Sequence, residues 1–304
     1  MFAQAPEWPS VRSIPVTQLR EMVRQSSLAI PGPNVALANI ADREIPGPGG
    51  PLPIRTYTPL GIGPHPVIVY FHGGGWVVGD LDTQDAIARA LAAGAESIVI
   101  SVDYRLAPEH PFPAAPEDAW AATQWAARNA ASSGGDAARI AVAGGSAGGV
   151  LACVVALMAR DSGDIALRAQ VNFYGSCNFP SHDTPSAREF AQGPILTSED
   201  IDFYWEQYLS DPAQQGDFRA SPFRASSHVG LPPAFIGTAE IDPSRDDAEA
   251  YAAKLDASGV QVELRRYAGM IHGFASWVGI LPTAQQALAD ACAFLKRQFE
   301  RTSA

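Results

Sequence analysis

The chain has 304 residues, 47% of them hydrophobic and 17% charged, with a net charge of −11. That composition supports a large buried core and excludes a disordered chain, and the acidic balance argues against holding nucleic acid or an anionic membrane through a basic surface. Cys153, Cys177 and Cys292 are too few and too widely spaced for a disulfide framework or a metal knuckle; with no leader peptide and no apolar run near ~18 residues, a cytoplasmic protein without a membrane span is expected.

Residues 1–33 are rich in Pro and Ser and hold one amphipathic helix, Val16 to Ser27, with Val16, Leu19 and Val23 on one face. Val35 to Ile45 and Leu52 to Thr58 read as strands that pair antiparallel across the turn cluster 46–50. Pro66 to Phe71 is a fully buried strand that runs straight into His72-Gly73-Gly74-Gly75-Trp76. A helix near Asp85 to Ala93 and a second buried strand, Ser97 to Val102, come next. The loop 103–113 contains Pro108, Pro111 and Pro113 and excludes regular structure. A helix from about Ala114 to Ala130 carries Trp120 and Trp125. Then follow a strand at Arg139 to Ala143, a helix over 150–159 and a strand at Arg168 to Tyr174.

From Ser176 to about Ala225 the chain turns rich in Pro, Ser, Asp and aromatics, with one helix at about Ser198 to Leu209, and reads as an insertion over the main unit. The core pattern resumes with a strand at Ala234 to Thr238, a helix from Asp246 to Ser258, a strand from Val260 to Tyr267 and a terminal helix over 283–299. Strands alternating with helices predict an α/β architecture, a mostly parallel sheet covered on both faces.

The stretch Gly144-Gly145-Ser146-Ala147-Gly148-Gly149 stands between a buried strand and a buried helix. A Gly-x-Ser-x-Gly turn in that context is a nucleophile elbow: the serine sits at a sharp, strained turn, and bulk at Gly144 or Gly148 would clash with the neighbouring turn. The alternative is an incidental serine in a glycine-rich connection, and the rest of the chain decides against it.

A serine nucleophile needs a base and an orienting acid. Of the six histidines, His272 stands in the loop after the last strand, on the sheet edge where the elbow opens. His65 precedes a strand and falls at the opposite edge, while His182 and His228 read as solvated loop residues. The acid should follow the strand at 234–238, where Asp242 and Asp246 both stand. Reach favours Asp242, because four residues later the chain has turned into a helix whose dipole already gives Asp246 a reason to be acidic. Gly73, Gly74 and Gly75 leave backbone N–H groups open to a substrate oxygen, and two of these three with Ala147 would form an oxyanion hole. His72 reads as structural, fixing that loop through its ring nitrogens.

The order Ser146, Asp242, His272 is that of α/β-hydrolases. The chain resembles the bacterial hormone-sensitive-lipase-like esterases in five ordered pieces. They are His72 to Trp76, Asp103 to Glu109 with Phe112 to Ala115, Gly144 to Gly149, Asp242-Pro243, and His272-Gly273-Phe274. The resemblance implies a carboxylic ester hydrolase with a helical cap built from residues 1–33 and 176–225 over a catalytic core of 34–175 and 226–304, and a preference for short to medium acyl chains. Two positions depart from the pattern. Gly145 replaces the family's Asp beside the nucleophile, and Ser244 replaces its Leu after Asp242-Pro243, which should make the acid's surroundings more polar.

The sequence thus predicts a serine carboxylesterase acting on a small-molecule ester, with catalytic Ser146, Asp242 and His272, no metal and no organic cofactor. Trp76, Phe203, Trp205, Tyr208 and Trp277 are candidates for an acyl pocket, each with packing of cap on core as the competing role. Oligomeric state is left open, a homodimer being compatible. The rivals are a ligand-binding protein on the same fold, as in plant receptors that have lost the histidine, and a hydrolase of amides, lactones or carbonates. His272 speaks against the first; fold alone does not separate the second.

Overall fold

The computed structural model describes residues 10–180 and 182–301; of the expected cap, 1–9 and Ser181 lie outside the described residues, as do 302–304 at the end of the core. After a short turn of 3-10 helix at Val11–Ser13 comes helix α1 (Val16–Leu28). Strands β1 (Asn39–Gly47) and β2 (Gly50–Thr58) pair antiparallel from Asn39 opposite Thr58 to Gly47 opposite Gly50, so the turn shrinks to Pro48-Gly49. The first strand starts four residues later than its apolar pattern predicts. Its partner ends at Thr58, before Pro59, and leaves residues ahead of 38 nothing to pair with.

Then follow β3 (His65–Phe71), α2 (Asp85–Gly94), β4 (Ile98–Val102), α3 (Ala114–Asn129), β5 (Gly135–Gly145), α4 (Ala147–Ser162) and β6 (Leu167–Phe173). The segment after β6 contributes α5 (Pro185–Glu189) and α6 (Ser198–Tyr208); the chain closes with β7 (Ala234–Ile241), α7 (Arg245–Ala257), β8 (Val262–Ile271) and α8 (Pro282–Glu300). The sheet order is β1-β2-β4-β3-β5-β6-β7-β8, antiparallel at β1/β2 and β2/β4 and parallel from β4 onward.

Alternation along the buried strands feeds two apolar layers. Ile68 and Tyr70 of β3 face α2 and α8, against Ile87, Leu91, Leu288 and Phe294. Val67, Val69 and Phe71 face α3 and α4, against Ala119, Ala122, Leu151 and Val154. Both faces being covered, β3, β4 and the second half of β5 carry no exposed residue. Among the described residues no helix is long and apolar enough to cross a membrane.

The parallel strands deliver their carboxyl ends to one edge, and α1, α5 and α6 lie over that edge. Leu19 of α1 and Phe203 of α6 bury together against Val77 and Val78. Arg12 donates to both carboxylate oxygens of Glu206 at 2.6 and 2.9 Å, and Ser10 donates to Glu199 at 2.9 Å, tying the N-terminal segment to α6.

Candidate active site

β5 runs through Gly144-Gly145, and α4 begins at Ala147, so Ser146 alone makes the turn, with φ 54° and ψ −125°. Few non-glycine residues hold a positive φ; here the Ser146 N–H donating to the Phe173 carbonyl at 2.8 Å helps to fix it. The flanking glycines have no room to change: a Cβ on Gly144 would stand 2.1 Å from the Gly148 oxygen, and one on Gly148 2.0 Å from the Phe71 oxygen.

Two other strand ends meet the elbow. β7 stops at Ile241, and the next residue, Asp242, is fully buried. β8 continues to Ile271, four residues past its expected end, which makes His272 the first residue beyond it. The His272 Nδ1–H donates to Asp242 Oδ2 at 2.8 Å, and Ser146 Oγ lies 2.9 Å from His272 Nε2, placed to donate to it. Asp242 Oδ1 accepts from the Ser244 N–H at 2.8 Å and the Ser244 hydroxyl at 2.7 Å. Ser244 therefore does make the acid's surroundings more polar, and it holds the carboxylate so that the second oxygen faces the imidazole.

Asp246 points elsewhere. Its carboxylate accepts from the Ser186 N–H at 2.7 Å and pairs with Arg245 at 2.8 Å, linking α7 to α5. Its N-terminal position in α7 holds, but it caps the neighbouring helix.

The loop after β3 packs against the elbow, where a Cβ on Gly73 would stand 2.9 Å from the Gly145 oxygen and 3.4 Å from Ser146 Cβ. Gly74 and Gly75 take φ of 122° and 59°, and among the described residues the N–H groups of Gly73, Gly74 and Gly75 reach no acceptor. The N–H of Ala147, the first residue of α4, has no carbonyl within its own helix to donate to. Fully buried His72 braces this loop. Burial holds its pKa down at about 4, so the ring is neutral, and its Nδ1–H donates to the Gly73 carbonyl at 2.8 Å. Tyr104 stacks on the ring at 4.2 Å and donates to the His72 carbonyl at 2.8 Å.

Ser146, His272, Gly73, Gly74, Gly75 and Ala147 share the wall of one cavity of about 300 Å³. Trp76 and Trp205 line it as well, but the other three aromatic candidates do not. Phe203 packs between α6 and α1 against Leu19 and Val78. Tyr208 stacks behind Trp76 at 4.1 Å, one helical turn past the cavity. Trp277 lines a neighbouring groove with Leu28. One histidine is also corrected: His228 is buried, with Nε2 2.9 Å from the Pro222 oxygen. His182 is the partly exposed loop residue expected, and it also reaches the cavity wall, where its Nε2 meets Asp202 at 2.7 Å.

Sequence reasoning missed Tyr174, Tyr204 and Asp247, all in the cavity wall. Tyr174 has φ 44° and sets its ring 5.0 Å from that of His272. A Cβ on Gly145 would come 3.3 Å from the Tyr174 ring, so the smallest residue at that departure leaves this ring its place. Tyr204 covers Gly75, where a Cβ would stand 2.3 Å from the ring. Its spacing from Ile201 and Trp205 is the only sequence signal for it.

A serine, a carboxylate and a histidine at the ends of the parallel strands β5, β7 and β8, with a glycine loop beside the serine, define a hydrolase site of the nucleophile-elbow type. Residues 68–276 match the family described as the alpha/beta hydrolase fold. Carboxylesterase NlhH of Mycobacterium tuberculosis is 47% identical over 252 residues, 81% of this chain and 78% of that protein. The crystal structure of EstE1, a thermophilic carboxylesterase cloned from a metagenomic library, superposes with a TM-score of 0.91 at 40% identity, covering 95% of this chain and 99% of EstE1. The esterase of Pyrobaculum calidifontis superposes with a TM-score of 0.88 at 42% identity, covering 94% and 92% of the two chains. The chain belongs to the α/β-hydrolase family, in its hormone-sensitive-lipase-like branch of esterases.

Proposed function

We propose that this protein is a serine carboxylesterase in which Ser146 is the nucleophile, His272 the base and Asp242 the orienting acid. The observation that carries the assignment is the unbroken relay from Ser146 Oγ through His272 to Asp242, at 2.9 and 2.8 Å. His272 Nε2 takes the serine proton as Oγ adds to the ester carbonyl. The oxyanion is held by the N–H of Ala147 and by N–H groups of the 73–75 loop, preorganised because they spend no hydrogen bond on the protein. Collapse expels the alcohol with the proton from His272, leaving Ser146 acylated. Water, deprotonated by the same imidazole, then releases the acid.

Residues 10–28 and 176–225 serve as the cap: Val11, Ile201, Tyr204 and Trp205 close the cavity opposite Ser146. A cavity of this size, lined by apolar and aromatic side chains, supports short to medium acyl groups. A reducing compartment, the cytoplasm, suits the three unpaired and buried cysteines.

A fluorophosphonate probe tests the nucleophile. It should label the wild-type chain on Ser146 and leave Ser146→Ala unlabelled, and the variant should lose turnover of p-nitrophenyl hexanoate. Labelling at another residue, or turnover that survives in Ser146→Ala, would overturn the assignment.

A further inference from the structure

Among the described residues the cavity wall holds two carboxylates, and the fold treats them differently. Asp200 accepts from the Thr197 N–H at 2.9 Å and the Thr197 hydroxyl at 2.8 Å, closing the start of α6. Asp247, in the first turn of α7, accepts from no donor among the described residues. Its polar neighbours are all engaged. Asp246 holds Ser186 and Arg245, His182 meets Asp202, Ser176 donates to the Asn178 carbonyl at 3.2 Å, and Ser244 donates to Asp242. Among the described residues no Lys or Arg lines the cavity.

A carboxylate in a first turn is favoured by the helix dipole, which is reason enough for an acid at this position. It does not account for one that faces the substrate cavity without a donor. Burial, with Asp246 adding to it and only His182 opposing, pushes Asp247 up to about 6. Such a group detracts from stability, and costs of that kind persist where a site uses them. The wall combines apolar side chains such as Val11, Val150, Leu196, Ile201 and Trp205 with a few polar ones, and Asp247, which senses the charge of His182, lies where α7 meets the segment after β6.

We propose that Asp247 is a specificity-determining residue that receives a protonated amine carried by the ester and repels esters that carry a carboxylate. The ammonium supplies the donors the carboxylate lacks, in a wall where among the described residues no Lys or Arg competes, while an anionic group would meet Asp247 with only His182, already engaged by Asp202, to offset it. This inference rests on the esterase reading, with Ser146 attacking the carbonyl of the same bound molecule.

The test is the specificity constant, kcat/KM, for three p-nitrophenyl esters of matched length: hexanoate, 6-aminohexanoate and the adipate half-ester. In the wild-type chain the amino ester should exceed the adipate half-ester by about tenfold or more, the scale of one charge-assisted hydrogen bond. Asp247→Asn should reduce that ratio about tenfold, and Asp247→Glu should restore most of it. Equal constants for the two charged esters in the wild type would overturn the proposal even if Asp247→Asn did not fold, and so would a ratio that Asp247→Asn leaves unchanged. Failure of all three esters, hexanoate included, would instead count against the esterase reading.

Discussion

The floor and the roof of the cavity are built on different principles. Every functional group of the floor is placed by backbone: Ser146, Asp242 and His272 each occupy the residue after a strand, and a Cβ on Gly73, Gly74, Gly144 or Gly148 would stand only 2.0–2.9 Å from a neighbouring atom. The roof is placed by side chains. Arg12 grips Glu206, Phe203 meets Leu19, and Tyr204 rests on Gly75. At its rim Ile195, a β-branched residue, holds φ 72° and is 64% exposed. The floor therefore tolerates almost no change of position, whereas the roof can vary in which side chain meets which. Chemistry that demands geometry within tenths of an ångström sits on the first, and selectivity sits on the second.

The largest effect expected from breaking this contrast is in the floor. Asp242→Asn should fold and lose turnover by roughly 10³–10⁴, as removal of the orienting carboxylate does in serine proteases. Asp246→Asn breaks a floor-to-roof tie instead, weakening the bonds to Ser186 and Arg245. It should cost about 1 kcal/mol of stability and leave turnover within a few-fold. Melting temperature and turnover of both variants decide; a folded Asp246→Asn without activity, beside an active Asp242→Asn, would reverse the two roles.

The same contrast explains what was legible in the sequence. The elbow, the glycine loop and the order of the three site residues stand out because backbone constraints admit few residue types: glycine where no Cβ fits, a short polar residue directly after a strand. The sheet was legible for a related reason, since a strand buried on both faces must be apolar throughout. The roof was not, because an aromatic residue suits a pocket and a packing contact equally. Helical spacing puts Ile201, Tyr204 and Trp205 on one face of α6, but no sequence feature says that this face looks down on Ser146 while Phe203 looks toward α1. Asp247 was hidden for another reason. Two adjacent acids at a helix start satisfy the dipole, and only the fold reveals that one is engaged and the other is not.

A smaller effect sharpens the description of the floor. His72 is fully buried, and desolvation lowers its pKa from 6.5 to about 4. The sign follows from linkage. The unfolded chain takes up the proton below about pH 6.5 and the folded chain does not until about pH 4. Stability is thus complete above 6.5 and declines across that window, by on the order of 3 kcal/mol at its acid end. In histidine NMR spectra the His72 ring signals, assigned by their loss in His72→Asn, should stay unmoved from pH 8 to pH 5. A midpoint near 6.5 would mean the loop opens to water and the glycine N–H groups are not held in place.

The smallest effect is expected at the roof. Arg12 and Glu206 are 38% and 57% exposed, and such surface pairs contribute about 0.2–1 kcal/mol, less when screened by salt. Arg12→Ala should therefore shift the melting temperature by only about 1–3 °C. Its consequence is local, because the preceding residue, Val11, lines the cavity. With the tether gone, the segment ahead of α1 should be cut faster in limited proteolysis, and KM for hexanoate should rise about two- to threefold with kcat little changed, the mark of weakened uniform binding. Raising salt to about 1 M should move the wild type the same way, since the Debye length then falls to about 3 Å. If the roof is held by Leu19, Val77, Val78 and Phe203 alone, neither the substitution nor the salt will change proteolysis or KM, and the ion pair has no part in closing the site.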